Sequence, residues 1–300
     1  ANILSKIERI GAIISGAFVL IMMVMTTLDV IFRYIFNSPI TGNYELQPLL
    51  LVGVVFLAAA SIQAKRSHIS LDLITAHVPK VPQASIRLLS DLIFLSFSAV
   101  ICWQFLLATR AAWISHDYYW GLVKFPLWPP YLIIAVGTFF LSIRLIEQIV
   151  GSQLWRKESG FGISFRLIGT LIPVVVIILS FWGILYSIDA HITPMTVGMI
   201  AIIVFMILLF LGVPVSACMG LISIVGIWMI KGGSSALGQA ASGPFSSVGQ
   251  YTLTVMPLFI IMGSFAGLAG FAVEGFNLAK KWLEGIPGGI IHATIIGATA

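Results

Sequence analysis

Charge is so sparse along this chain, and so unevenly spaced, that it divides the sequence into apolar runs of bilayer length. Residues 11–28, 46–64 and 92–109 carry no charge at all. A fourth run lies between Lys124 and Arg144, and a fifth covers residues 167–188. The uncharged stretch 190–230 is too long for one span, and Leu-Gly-Val-Pro at 211–214 breaks it into two. An eighth run covers 253–273. A spanning helix needs about 20 mostly apolar residues, and each run approaches or meets that length. Only 9% of the 300 residues are charged, against about 25% in soluble domains. Too few charges remain to cover a soluble surface, so the chain reads as an integral membrane protein.

The expected fold is all-α: a polytopic membrane protein with about eight complete transmembrane helices, a partial ninth, and interfacial amphipathic arm helices. The start is not a signal peptide, because Glu8 sits in its basic segment and the apolar run is too long. It reads as a retained first helix. The final run, 285–300, opens with Gly-Ile-Pro-Gly-Gly and continues for only eleven apolar residues. Those rise about 16 Å, roughly half the hydrocarbon core, so a longer parent protein is expected. Cys102 and Cys218 stand alone in apolar runs and read as small buried hydrophobes.

Basic residues set the orientation. With the N-terminus inside, 12 of the 16 Lys and Arg fall on the inner side. Arg33, Arg110, Lys124 and Lys231 fall outside. The net charge of +5 therefore reflects membrane topology, and no nucleic-acid partner is expected. Residues 68–83 and 274–289 each mix apolar positions with basic neighbours, and they are the two candidate arms. The most polar linker, 151–166, separates a four-span unit from the rest.

Few residues carry candidate chemistry. Asp29 and Arg33 share a helix face at i, i+4, just before the Asn-Ser-Pro exit of the first span. Ionisable residues at membrane depth suggest function by default. Their place in the last turns instead favours an ion pair, a partner-domain contact or a lipid head-group contact, with an ion pathway as the competing reading. Glu45 opens the second helix, where an acid suits the dipole and reaches back towards Arg33. His68 and Asp72 share a face of the first arm, with too few neighbouring ligands for a metal. Gly263, Gly267 and Gly270 read as close helix packing. The small, polar, nearly uncharged segment 232–252 is expected to be an exposed outer loop, with a re-entrant element as the alternative. No HExxH, GxSxG, P-loop or paired catalytic carboxylate occurs, so an enzyme is not expected.

Residues 29–42, "DVIFRYIFNSPITG", followed by "YELQPLLLVGVVFLAAASIQAKRSHISLDLI", resemble the small (Q, DctQ-like) membrane subunit of tripartite ATP-independent periplasmic (TRAP) transporters. The matching positions are Asp29, Arg33, Asn37, Pro39, Glu45, Leu46, His68, Ile69 and Asp72. Gly42-Asn43-Tyr44 stands where the family usually has a tryptophan before Glu-Leu. From about Thr193, "FLGVPVSACMGLIS" and "VMPLFIIMGSFAGLAGFAVEGFNLAKKWLEGIPGGI" resemble the start of the large (M, DctM-like) subunit. The resemblance implies a Q-like scaffold at 1–150, a linker and fusion helix at 151–190, and the incomplete N-terminal part of M at 191–300. It implies a bacterial inner-membrane importer of elevator type, with Na⁺ as coupling ion and no other cofactor. The cargo would be an organic anion (dicarboxylate, sialic or other sugar acid, sulfonate) delivered by a periplasmic substrate-binding protein. It puts the sodium and substrate sites mostly beyond Ala300 and leaves Asp29, Arg33, Glu45, His68 and Asp72 as scaffold, lipid or Q–M interface residues. The rival expectation is a non-transporting membrane scaffold or accessory subunit.

Overall fold

A computed structural model of the chain describes residues 3–68, 80–151 and 193–283, together with Ile291 and Thr294. The described residues form nine α-helices and one two-stranded hairpin. The first four helices are α1 (Ile3–Ile35), α2 (Asn43–Ala64), α3 (Lys80–Ser115) and α4 (Trp128–Val150). Between α3 and α4, β1 (Tyr118–Tyr119) pairs antiparallel with β2 (Phe125–Pro126). Then follow α5 (Pro194–Phe210), α6 (Val215–Lys231), α7 (Gly233–Val248), a 3₁₀ turn (Tyr251–Thr254), α8 (Val255–Leu268) and α9 (Phe271–Leu283).

Among the described residues, five segments are long and apolar enough to cross a membrane: Leu4–Ile35, Asn43–Ala64, Ile86–Ser115, Trp128–Val150 and Tyr251–Leu268. Helices α5 and α6 are apolar but shorter, at 17 residues each. The spans run further than the uncharged stretches, because the charges at their ends are neutralised or reach water. Asp91 on α3 is buried and paired with Arg66 at 3.1 Å. Arg33 closes α1 with an exposed side chain. The expected fifth span, 167–188, lies outside the described residues, as does most of 285–300. The first arm also lies mostly outside them, and residues 80–83 of it already belong to α3.

Local chemistry fixes the helix starts. Trp128-Pro129-Pro130 opens α4, where prolines lose no intrahelical bond. Thr193 caps α5 by accepting a hydrogen bond from the Thr196 N–H, with Pro194 next in the chain. Gly212 makes the tight α5–α6 turn in a left-handed conformation (φ 77°) that a side chain would strain.

Helix α2 is the centre of the first unit, packing on α1 on one side and α4 on the other, with α3 on α4. The approach is close. A methyl on Gly11 would lie 2.8 Å from the Leu57 carbonyl oxygen, and one on Gly137 would strike the Phe56 carbonyl. Small residues at such crossings let helix backbones meet. Helices α6 and α7 then pack on α3. One core layer joins Val52, Ile101, Phe105, Ile134 and Ala135 to Ala240 of α7. A second joins Phe94, Leu141 and Leu145 to Val213, Ala217 and Cys218 of the α5–α6 region. The segment expected as an exposed loop is thus mostly α7, a packed helix. Its small residues Ala236 and Ala240 form a buried side four residues apart, while Ser235, Gln239 and Ser242 stay outward.

If the α2–α4 crossing depends on the missing side chain at 137, Gly137→Ala will destabilise the protein by about 1–3 kcal/mol. Gly16→Ala, with nothing within 4 Å of the new methyl, should be neutral or slightly stabilising. Unfolding midpoints of the two variants in one detergent test this, and equal shifts would refute the close-contact reading.

Candidate functional site

Helix α1 buries a single line of residues. Glu8, Ser15, Met22 and Asp29 recur at seven-residue spacing, two turns apart, and all four are buried. Three are polar. The rest of the helix surface is largely apolar and open, including Ile13, Leu20, Ile21 and Val24. This reverses the pattern of a soluble helix. The polar residues face the neighbours because lipid cannot satisfy them.

Each finds a partner. Asp29, 4% exposed, accepts from the Arg33 guanidinium at 2.7 Å through Oδ2. Its Oδ1 accepts from the Ile40 N–H at 2.8 Å. One carboxylate therefore holds both the end of α1 and the loop that turns towards α2. Gln47 of α2 is buried, and its amide nitrogen lies within hydrogen-bond reach of Met22 O, Thr26 Oγ1 and Asn43 Oδ1 at 3.2, 2.9 and 3.1 Å. Ser15 donates to the Val54 carbonyl at 2.8 Å. Glu8 meets Arg144 of α4 at 3.5 Å, and Arg144 also holds Glu147 at 2.6 Å.

Glu45 does not pair with Arg33. Its carboxylate accepts from the Leu122 N–H at 2.6 Å and lies against Gly121, in the tip of the β-hairpin. The hairpin leans over the start of α2, and this brings the backbone donor closer than any cation. Glu45 thus ties α2 to the α3–α4 connection. His68 sets its ring edge-on to Phe94, with centroids 5.2 Å apart; Asp72 lies outside the described residues. Gly263 and Gly267 have nothing within 4 Å of an added methyl. Gly270 is a turn residue, with φ 81°, so it breaks the chain between α8 and α9. Among the described residues no three His, Cys, Asp or Glu side chains group as metal ligands.

Several ties escaped sequence reading. At the end holding the α1 N-terminus, Gln63 and Gln148 bond reciprocally, with Nε2 to Oε1 at 2.7 Å and Nε2 to backbone O at 3.0 Å. Ser90 of α3 donates to Gly212 O, in the α5–α6 turn, at 3.1 Å. At the opposite end Tyr44 stacks on Tyr251 with centroids 4.2 Å apart. Tyr119 and Tyr131 set their edges on Phe245 of α7. The seven-residue recurrence of Glu8, Ser15 and Asp29 was the available signal for the α1 seam. Contacts across 80 residues or more left none.

Comparison with known proteins finds two matches in succession. Residues 22–154 match the family described as tripartite ATP-independent periplasmic transporters, DctQ component. Residues 202–300 match the tripartite ATP-independent periplasmic transporter, DctM component. The isethionate TRAP transporter permease protein DctMQ of Oleidesulfovibrio alaskensis is 26% identical over 251 residues. The aligned region is 84% of this chain and 37% of that protein. The sialic acid TRAP transporter permease protein SiaT of Haemophilus influenzae is 23% identical over 270 residues, 89% of this chain and 43% of that protein. The chain spans less than half the length of either relative.

Removing Asp29 should cost more than removing Arg33. Asp29→Ala strands the Ile40 N–H and frees the loop, a loss of about 1–3 kcal/mol. Arg33 is over half exposed, so Arg33→Ala should cost only about 0–1 kcal/mol. Unfolding midpoints of the two variants decide the order, and a larger loss in Arg33→Ala would overturn it.

Burial pushes the His68 imidazole below the ordinary histidine range, partly offset by a hydrogen bond with the Ala59 backbone. The unfolded chain then binds a proton more readily than the folded one, so stability falls as pH drops through about 6.5. Wild-type protein should lose unfolding midpoint between about pH 7.5 and about pH 5.5 more steeply than His68→Gln. Parallel pH profiles would exclude His68 as the source.

Proposed function

Because the chain belongs to the tripartite ATP-independent periplasmic (TRAP) transporters, with a DctQ part and a DctM part in one polypeptide, we propose that it forms the scaffold and the first transport-subunit helices of a secondary importer. Family members are transport permeases, not enzymes, and their membrane components work with a periplasmic binding protein. The proposed importer moves an organic anion by an elevator-type motion driven by a sodium gradient. The names of the two relatives refer to isethionate and sialic acid. Both are small organic anions, and this supports a carboxylate or sulfonate cargo here.

The observation that carries the reading is how the two matched regions meet. The α3–α4 pair of the first accepts α6 and α7 of the second in two continuous core layers. A polar tie at one end and aromatic pairs at the other accompany them. Such a joint suits a rigid support. On this reading residues 1–150 are the support, 151–190 the linker and fusion helix, and 191–300 the start of the transport subunit. The end holding the α1 N-terminus faces the cytoplasm of a bacterial inner membrane, since basic residues concentrate there. Asp29, Arg33 and Glu45 then brace the periplasmic end, outside the path of sodium or substrate.

The second reading is a scaffold that does not transport, and the ties made by Ser15, Gln47 and Glu45 favour it, since they join helices and loops rather than lining a path. Uptake into proteoliposomes separates the two. The complete permease with its binding protein should accumulate cargo only under an inward sodium gradient. Uptake without sodium, or without the binding protein, would contradict the coupled mechanism, and no uptake under any gradient would favour the scaffold.

A further inference from the structure

Helix α9, the last of the described helices, has an open apolar side. At 100° per residue, Phe271, Leu278 and Trp282 fall on one side of it. They are 67%, 56% and 79% exposed. Phe276, Ala279 and Leu283 fall on the adjoining side and are more covered, as α9 packs on α8. Glu274, Asn277, Lys280 and Lys281, with the exposed Val273 among them, occupy the rest of the circumference. The helix follows directly on a spanning segment, Tyr251–Leu268, after the Gly270 turn, so its start is fixed at a membrane surface. An apolar side beside two lysines, with a tryptophan in the last turn, complements the acyl–head-group boundary of an anionic leaflet.

We propose that α9 is a binding site for anionic phospholipid: Phe271, Leu278 and Trp282 enter the bilayer boundary, and Lys280 and Lys281 hold the anionic head groups. The lysines make the contact selective by charge, because each basic residue near an anionic surface strengthens association about fivefold, while the apolar side alone does not distinguish lipids. Glu274 opens the helix and the lysines close it, each suited to the adjacent helix dipole.

The complete permease carrying a fluorophore at Leu278→Cys is placed in vesicles of phosphatidylcholine with phosphatidylglycerol. Cys102 and Cys218 are buried, and any cysteine in the remainder of the complete permease is first replaced by serine, so labelling is confined to the new site. Brominated lipid should quench this fluorophore, and aqueous iodide should quench one at Asn277→Cys. Protection of position 278 from both quenchers would mean that protein covers the face, and strong iodide quenching there would mean that water does. Either result overturns the site. For selectivity, bound phosphatidylglycerol relative to phosphatidylcholine is measured by native mass spectrometry. Lys280→Gln/Lys281→Gln should lower that ratio by at least about tenfold, while Lys231→Gln leaves it unchanged. An unaltered ratio in the double variant sinks the charge selection, and normal elution as a single species confirms that the variant is folded.

Discussion

A polar group in hydrocarbon has no water to accept or donate a hydrogen bond, and the first four helices are organised around that constraint. Glu8, Ser15 and Asp29 put their polar atoms on the one line of α1 that meets other helices. Gln47 answers from α2, and Arg144 from α4. Individual interhelical hydrogen bonds in membranes are worth only about 0.6 kcal/mol on average. Their stronger effect is on register. Sliding or rotating α1 against α2 would leave Ser15 or Gln47 without a partner, so alternatives are penalised more than the native arrangement is rewarded.

The same constraint distributes the charges. Asp29–Arg33 and Glu45 lie at one end of the bundle, while Glu8–Arg144–Glu147 and Arg66–Asp91 lie at the other. Between the two ends the contacts are glycine, serine and apolar side chains, Phe105 and Phe94 among them. Ser98 and Ser142 share a 2.9 Å hydrogen bond there between α3 and α4. Each charged group thus sits where its partner, or water, is within reach. The joint to α6 and α7 follows the same plan, with a backbone carbonyl tied at one end, aromatic pairs at the other and apolar packing between.

Much of this was legible in the sequence. Uncharged runs located the spans, and Pro129-Pro130 located the start of α4. The turn at 211–214 was found from its Gly and Pro, the residues that make it. The span ends were not legible, because a charge that interrupts a hydropathy run does not interrupt a helix when a partner is near. Asp91 needed Arg66, and Glu8 needed Arg144 from another helix. Glu45 shows the limit most clearly. Its helix position predicted an acid favourable to the dipole, which it is, but its partner is a backbone N–H 77 residues away. The hairpin that supplies that donor has only two residues in each strand and carries almost no pattern. Segment 232–252 misled for a related reason. Alanine and serine at helical spacing look like a loop until a large apolar surface, here Ile101 and Phe105, covers the alanine side.

The C-terminal described helices differ from all the others in a way that exposure alone does not capture. Helix α8 has no buried residue, but an exposed apolar helix in a bilayer needs no correction, since lipid or another helix satisfies it equally. Its polar content is more informative. The one polar side chain in α8, Ser264, bonds back to Ile260 O within the helix. No side chain of α8 is therefore left to fix its register against α1, whereas α1 and α2 are locked by several. The helix is bounded by a 3₁₀ turn, where Thr254 is buried, and by the left-handed Gly270. An apolar shaft with no polar tie can slide or rotate without stranding a polar group. That freedom is set by where the polar residues are not.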